Sequence, residues 1–227
     1  MKSEDFELIS GLLKQRSGLI LPIDKVYLLE SRLTPIAHKR GLETLDALIN
    51  EVRVERKEDL LNEITEAMTT NESFFFRDNT PFDLFKQDVL PVLARARGNN
   101  GSIRIWCAAC SSGQEPYSLA MLLEEERARL GNLRVEIVAT DMAPRVLEKA
   151  KAGVYSQFEV QRGLAVQRLV QHFDQQGEQW RIKSNIRSMV TFQKQNLLES
   201  FATLGTFDLV LCRNVLIYFD PDTKKKV

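Results

Sequence analysis

The chain has 227 residues, 44% of them hydrophobic and 27% charged, which supports one large domain or a medium domain with an appendage and excludes wholesale disorder. Thirty-one Lys and Arg balance 31 Asp and Glu, so no net charge draws the chain to nucleic acid or an anionic membrane. No apolar run reaches the roughly 18 residues of a membrane span, the opening MKSEDFELIS is acidic where a secretory signal is basic and then greasy, and three cysteines point to a reducing cytoplasm rather than a disulfide framework.

Residues 1–70 read as a helical domain. Apolar residues recur at helical spacing in four stripes: Phe6, Ile9, Leu12 and Leu13; Val26, Leu29, Leu33 and Ile36; Leu45, Leu48, Ile49 and Val52; Leu60, Ile64, Ala67 and Met68. Pro22 and Gly41 fall between stripes, where helices stop. Residues 71–100 read as a linker and the first helix of a second domain, which fills 101–227. There the pattern becomes short apolar runs, at Ile103–Ala108, Val135–Ala139, Val190–Phe192 and Phe207–Cys212. Such runs suit strands buried on both faces. Helical stretches lie between them, Ser118 to Leu130 and Arg145 to Lys151. Strand, helix, strand at this spacing predicts an α/β fold, a doubly wound parallel sheet that binds ligands at the carboxyl ends of its strands. Residues 178–192 break the rhythm and predict a small antiparallel excursion carrying Trp180, Ile182 and Ile186, with its turn near Ser184-Asn185.

The first strand-to-helix turn, WCAACSSGQEPYSLA, spans residues 106–120. Its small residues allow close approach to the backbone, but one glycine does not make the GxGxxG fingerprint. Glu115 opposes a pyrophosphate and suits a cationic group; its plainer role is to complement the helix N-terminus. Asp141, at the end of the second core strand, stands where a ribose is bound in nucleotide-binding sheets; it is also a favoured helix cap. Three consecutive phenylalanines, Phe74 to Phe76, cannot share one face, so some are expected to be buried between the halves. Arg77 beside them needs an anionic partner, whether a ligand or a structural one. Polar Arg213 and Asn214 follow the fourth core strand, at its ligand-binding end. Tyr218, among apolar neighbours, is by itself ordinary core. Cys107 and Cys110 form a CxxC, but the remaining His38, His172 and Cys212 make no paired zinc motif, and neither a metal site nor a redox dithiol is expected. Arg53, Arg56 and Lys57 lie at i, i+3 and i+4 on a predicted helix and so share a face. That face is either solvated or a dock for an acidic helix.

Taken together, NESFFFRD (71–78), RIWCAACSSGQEPYSLAMLL (104–123), ATDMAPRVLEKAKAGVY (139–155), FQKQNLL (192–198) and FDLVLCRNVLIYFD (207–220) resemble the CheR family, the S-adenosylmethionine-dependent methyltransferases of bacterial chemoreceptors. Where members of that family usually carry GEEP, this chain has GQEP and keeps Glu115. The resemblance implies an N-terminal helical domain, a Rossmann-like methyltransferase sheet and a small inserted β-subdomain. It implies that Asn71, Ser73, Arg77, Glu115, Asp141, Asn196, Leu197, Arg213 and Asn214 surround the cofactor, with Glu115 at its amino group, Asp141 at its ribose, and Asn196 and Leu197 at its adenine. Arg77 and Tyr218 would lie nearest the transferred methyl group. Arg53, Arg56 and Lys57 would meet the methylation helices in the cytoplasmic domain of a membrane receptor. The product would be S-adenosylhomocysteine. No nucleic acid, membrane insertion or metal is implied, and the protein would be cytoplasmic, recruited to receptor arrays. The loop FDQQGEQWRIK is short where pentapeptide-binding members are longer, so independence from a receptor C-terminal pentapeptide is expected. Family members continue past CRNVLIYFD with another helix and two strands, so a C-terminal part is expected beyond this sequence. A non-catalytic relative that binds cofactor and receptor is the nearest alternative. An NAD-dependent oxidoreductase is opposed by Glu115 and the missing glycines, and a nucleic-acid methyltransferase by the zero net charge.

Overall fold

A computed structural model describes residues 2–98 and 100–227. They form two compact units. The helical unit runs to Thr70 and also takes in Asn196–Ser200 and Asn214–Val227; the second holds Asn71–Gln195 and Phe201–Arg213.

The helical unit contains α1 (Ser3–Ser17), α2 (Val26–Lys39), α3 (Leu45–Val54) and α4 (Glu58–Met68). All four stripes supply its core, with Ile9, Leu13, Leu29, Leu33, Leu48, Leu60 and Ile64 fully buried. Gly18 ends α1 in the left-handed conformation at φ 76°, and a side chain there would press on Phe219 and Thr223 at 3.0–3.1 Å. Thr44 caps α3 by accepting the Ala47 N–H. Residues 214–227 close the unit: Ile20 N–H donates to the Tyr218 carbonyl at 2.9 Å, and Lys14 pairs with Asp220 at 2.6 Å.

Arg53, Arg56 and Lys57 do not share a helical face. Helix α3 stops at Val54, Arg56 takes a left-handed conformation at φ 46°, and Lys57 precedes α4. Arg53 is bound to Asp5 at 2.6 Å and Lys57 to Glu55. The break carries neither Gly nor Pro, which is why periodicity ran through it.

In the second unit α5 (Thr80–Leu84) and α6 (Leu90–Arg97) flank a π-helical turn, Phe85–Val89. Pro91 at the start of α6 has no N–H to give the preceding turn, and the wider turn accommodates it. Then come β1 (Ser102–Ala108), α7 (Gln114–Glu125), α8 (Arg127–Leu130), β2 (Arg134–Asp141) and α9 (Pro144–Ala152). The helix expected over Ser118 to Leu130 therefore starts earlier and breaks at Glu126, whose carboxylate is held by Lys86 at 2.9 Å and Arg129 at 2.6 Å. There follow β3 (Val154–Ser156), α10 (Gln157–Gln161), α11 (Val166–His172), β4 (Phe173–Gln176), β5 (Gln179–Ile182), α12 (Ser184–Arg187), β6 (Val190–Lys194), β7 (Leu209–Cys212) and, in the helical unit, α13 (Pro221–Lys226).

Four strands form a wholly parallel sheet in the order β6-β2-β1-β7. The α/β class and its parallel sheet are as the sequence predicts. Ile103, Ile105 and Cys107 point to one fully buried face of β1, while Trp106 packs on the other with Phe201 and Phe207 at 4.9 and 5.6 Å between ring centroids. Residues Tyr117 to Leu123 of α7 are buried on every side, which makes α7 a core helix.

The antiparallel excursion is a three-stranded sheet, β3-β5-β4, spread over 154–182 rather than 178–192. Its hairpin turns at Gly177-Glu178, with Gly177 at φ 62° as a tight two-residue turn demands. Ser184-Asn185 instead opens α12, and Val190–Lys194 is an edge strand of the parallel sheet. Among the described residues no helix is long and apolar enough to cross a membrane.

Candidate functional site

Between β1 and α7 the chain takes three positive φ angles: Ala109 at 56°, Ser111 at 52° and Gly113 at 93°. The two non-glycine cases cost on the order of 1–3 kcal/mol each, so the surroundings must impose them. Cys110 N–H donates to the Thr140 carbonyl and Ser111 N–H to Asp141 Oδ2, both at 2.8 Å. Ser111 Oγ donates to the Asn71 carbonyl at 2.8 Å, and the buried Tyr155 hydroxyl donates to the Ser112 carbonyl at 2.7 Å. The turn lies at the carboxyl ends of β1 and β2, where doubly wound sheets bind ligands.

Asp141 is buried at the end of β2. Its Oδ2 takes the Ser111 N–H, and its Oδ1 takes the Ala143 N–H at 3.0 Å just before α9. One side chain thus shapes the start of α9 and holds the β1–α7 turn.

Glu115, in the first turn of α7, has a side chain only 13% exposed and receives Arg213 Nη1 on Oε2 at 2.8 Å. Its Oε1 carries no bond among the described residues. Burial pushes this carboxyl above the usual carboxylate range, and the Arg213 charge opposes the rise. Arg213 also donates through Nη2 to the Arg77 carbonyl and to Asp78 Oδ2, each at 2.8 Å. One guanidinium therefore ties the end of β7 to the start of α7 and to the Arg77 turn.

That turn is strained as well, with Phe76 at φ 51°, Asp78 at 71° and Asn79 at 46°. Phe76 N–H donates to Ser118 Oγ at 2.9 Å, which donates to the Gln114 carbonyl at 2.7 Å. Phe75 and Phe76 are buried in the core of the second unit, not between the halves as expected, and Phe74 is half-buried. Among the described residues Arg77 pairs with no carboxylate; its guanidinium donates to the Glu72 carbonyl at 3.0 Å and lies 5.4 Å from the Phe74 ring centre. Ser73 is half-buried in the same segment.

Asn71, Ser73, Arg77, Glu115, Asp141 and Arg213 thus all belong to the second unit, and hydrogen bonds link all of them except Ser73 through the two turns. Asn196, Leu197, Asn214 and Tyr218 belong to the helical unit. The Asn196 amide donates to the Arg16 carbonyl at 2.7 Å, Leu197 is buried, Asn214 is exposed at φ 57°, and Tyr218 is half-buried in a single 3-10 turn. Ser118 and Tyr155, which pin the two strained turns, were not singled out from the sequence. Both lie in motif stretches, but nothing local marks a hydroxyl that serves a distant backbone. Cys107 and Cys110 are buried, and burial pushes both thiols well up, which makes them poor nucleophiles and ligands. Among the described residues no group of three or more His, Cys, Asp or Glu is placed to hold a metal ion.

Residues 4–69 match the family described as CheR methyltransferase, all-alpha domain, and residues 71–227 match CheR methyltransferase, SAM binding domain. The chain is 46% identical to chemotaxis protein methyltransferase 1 of Pseudomonas aeruginosa, over 98% of its own length and 82% of the relative's. It is 42% identical to the chemotaxis protein methyltransferase of Vibrio anguillarum over 100% and 82% of the two chains. With that of Borreliella burgdorferi it shares 36% identity over 92% and 76%.

Proposed function

Given that the chain belongs to the CheR methyltransferase family, we propose that it esterifies glutamate carboxylates in the cytoplasmic helical domain of membrane chemoreceptors. S-adenosylmethionine is the cofactor of its SAM-binding domain. The observation that carries the reading is the half-buried Glu115–Arg213 pair beside the strained β1–α7 turn. An acid there, with Oε1 unbonded, suits an ammonium group and opposes a pyrophosphate. Asp141 supplies acceptors for ribose hydroxyls. The residues present fit this cofactor: Glu115 and Asp141 would hold its amino group and ribose, and Arg77 and Arg213 would surround its charged end.

When bound, S-adenosylmethionine supplies an electrophilic methyl group on a sulfonium. A glutamate carboxylate has an ordinary pKa of about 4.3 and is already ionised at neutral pH, so its attack requires no proton removal. The reading needs no general base, and neither histidine, His38 or His172, is among the residues assigned to the cofactor or the methyl group; His172 is buried 3.5 Å from Glu125, and burial lowers its pKa. Transfer of that methyl group to a carboxylate would cancel both charges, so the residues of the site would act by positioning and by excluding water. A tight ion pair on the attacking oxygen would blunt it. Arg77 therefore orients the other oxygen or the cofactor's own carboxylate, and Tyr218 helps orient the substrate. The two-residue Gly177-Glu178 hairpin supports independence from a receptor pentapeptide.

Calorimetric titration with S-adenosylhomocysteine, with NADH as control, tests the pocket. Radiolabelled methyl transfer to receptor membranes tests the acceptor. Base-labile label on intact receptor, and the same rate on receptor lacking its C-terminal tail, are expected. Binding without transfer would favour the interaction-module reading, and a many-fold slower rate on the tailless receptor would remove pentapeptide independence.

Asp141→Ala is expected to weaken S-adenosylhomocysteine binding by about 1–3 kcal/mol, since hydrogen bonds to a charged acceptor and the tether to Ser111 are both lost. Unchanged affinity in the same titration would reject the ribose role.

A further inference from the structure

The loop after α10 lies directly on the strained turn that presents Arg77. Gly163 has φ 86°, and a Cβ there would sit 2.0 Å from the Phe75 carbonyl oxygen and 3.1 Å from the Phe74 ring. Only glycine permits that approach. The preceding Arg162 reaches over the turn and makes two contacts. Its Nη2 bonds Glu72 Oε1 at 2.6 Å, and its guanidinium carbon stands 4.5 Å from the Phe74 ring centre. The same two residues hold Arg77, whose Nη1 donates to the Glu72 carbonyl at 3.0 Å and whose guanidinium lies 5.4 Å from the same ring. Glu72 and Phe74 thus each contact both arginines, and among the described residues the Arg77 side chain makes no other hydrogen bond.

We propose that Arg162 is a positioning residue for Arg77, acting through Glu72 and the Phe74 ring. The inference rests on the reading of Arg77 as a lining residue of the cofactor pocket. A long side chain such as arginine loses rotamer freedom when its head is fixed. With Glu72 and Phe74 already immobilised by Arg162, less of that cost remains when Arg77 engages a ligand. Guanidinium-on-ring contacts and exposed ion pairs add little to folding stability. Their effect should therefore be read in ligand binding and not in melting.

The experiment compares the parent chain with Arg162→Ala, Arg162→Lys, Arg77→Ala and the Arg162→Ala/Arg77→Ala double variant. S-adenosylhomocysteine affinity is measured by calorimetry and the thermal midpoint by circular dichroism. Arg162→Ala is expected to weaken binding about three- to tenfold while the midpoint stays within about 2 °C. Arg162→Lys, which keeps the cation on the ring and on Glu72, should restore most of the affinity. In the Arg77→Ala background the Arg162 substitution should have no further effect, the non-additivity expected of residues acting as one unit. Phe74→Leu should reproduce the Arg162→Ala loss. Parent-like binding by Arg162→Ala, or an effect that adds in full to that of Arg77→Ala, would overturn the proposal and leave the site reading intact. Parent-like binding by Arg77→Ala would overturn the reading of Arg77 itself, and its positioning by Arg162 with it.

Discussion

Replacing Arg213 with alanine will destabilise the second unit by about 3 kcal/mol, the lower end of the range for a buried ion pair stripped of one partner, because both side chains are half-buried. The Arg213 side chain is 18% exposed and that of Glu115 13%. Alanine leaves the half-buried Glu115 carboxylate without its cation and releases the Arg77 carbonyl and Asp78 in the same stroke. Burial already raises the Glu115 pKa, and without Arg213 it rises further. An acid whose folded pKa exceeds its unfolded value binds protons more tightly in the folded state. Its stability penalty is therefore felt above the folded pKa and relieved as pH falls through it toward the unfolded one. Urea midpoints should accordingly show the largest deficit at neutral pH and a smaller one in mildly acidic buffer. Substituting both partners, Glu115→Leu with Arg213→Leu, should recover much of the stability but none of the cofactor affinity. That separates holding the fold from holding the ligand. A parent-like urea midpoint for Arg213→Ala would show that the pair is solvated and does not brace the site.

Phe75→Ala should cost a similar amount, about 3–5 kcal/mol, through the cavity left by a fully buried aromatic side chain. Phe75 is 0% exposed and meets Tyr155 and Phe173 edge-on, with ring centroids 5.0 and 5.5 Å away. These two partners come from β3 and β4 of the small antiparallel sheet. Phe75 is two residues from Arg77, and Tyr155 holds the Ser112 carbonyl. The cavity therefore opens where the small sheet supports both strained turns, and cofactor affinity should fall along with stability. Phe75→Leu, which refills most of the space, should lose much less of both. Urea unfolding followed by calorimetry on the folded variant measures the two effects. A stability loss below about 1 kcal/mol, the level of an ordinary substitution, would mean that the site can collapse around the alanine.

What the sequence disclosed follows the range of the forces involved. The strands β1, β2 and β7 announce themselves as short apolar runs, the pattern of a parallel sheet, although Val210 of β7 is exposed. Helix α9 does so through Pro144 at its start and Gly153 at its end. Glu115, Asp141 and Arg213 could be picked out because their places in a doubly wound sheet are fixed by topology. The misplaced features lack a decisive local signal. Helix α3 ends inside a run of good helix formers, and α7 breaks at Glu126, where Lys86 and Arg129 meet the carboxylate. The hairpin turn did carry a local signal, Gly177, yet Ser184-Asn185 has equal turn propensity and actually starts a helix. The membership of residues 196–200 and 214–227 in the helical unit has no local signal at all.

That last feature bears on how the protein is made. Lys14 finds Asp220, Ile20 finds Tyr218 and Asn196 finds the Arg16 carbonyl, so the helices of the helical unit take contacts from segments synthesised long after them. Domains ordinarily fold as units, N-terminal first, during synthesis. Here α1 must wait, with the flank that receives Phe219 and Thr223 still uncovered, until residues 214–227 have been translated. The whole of the second unit is made in that interval, so the helical unit starts first yet is completed after it.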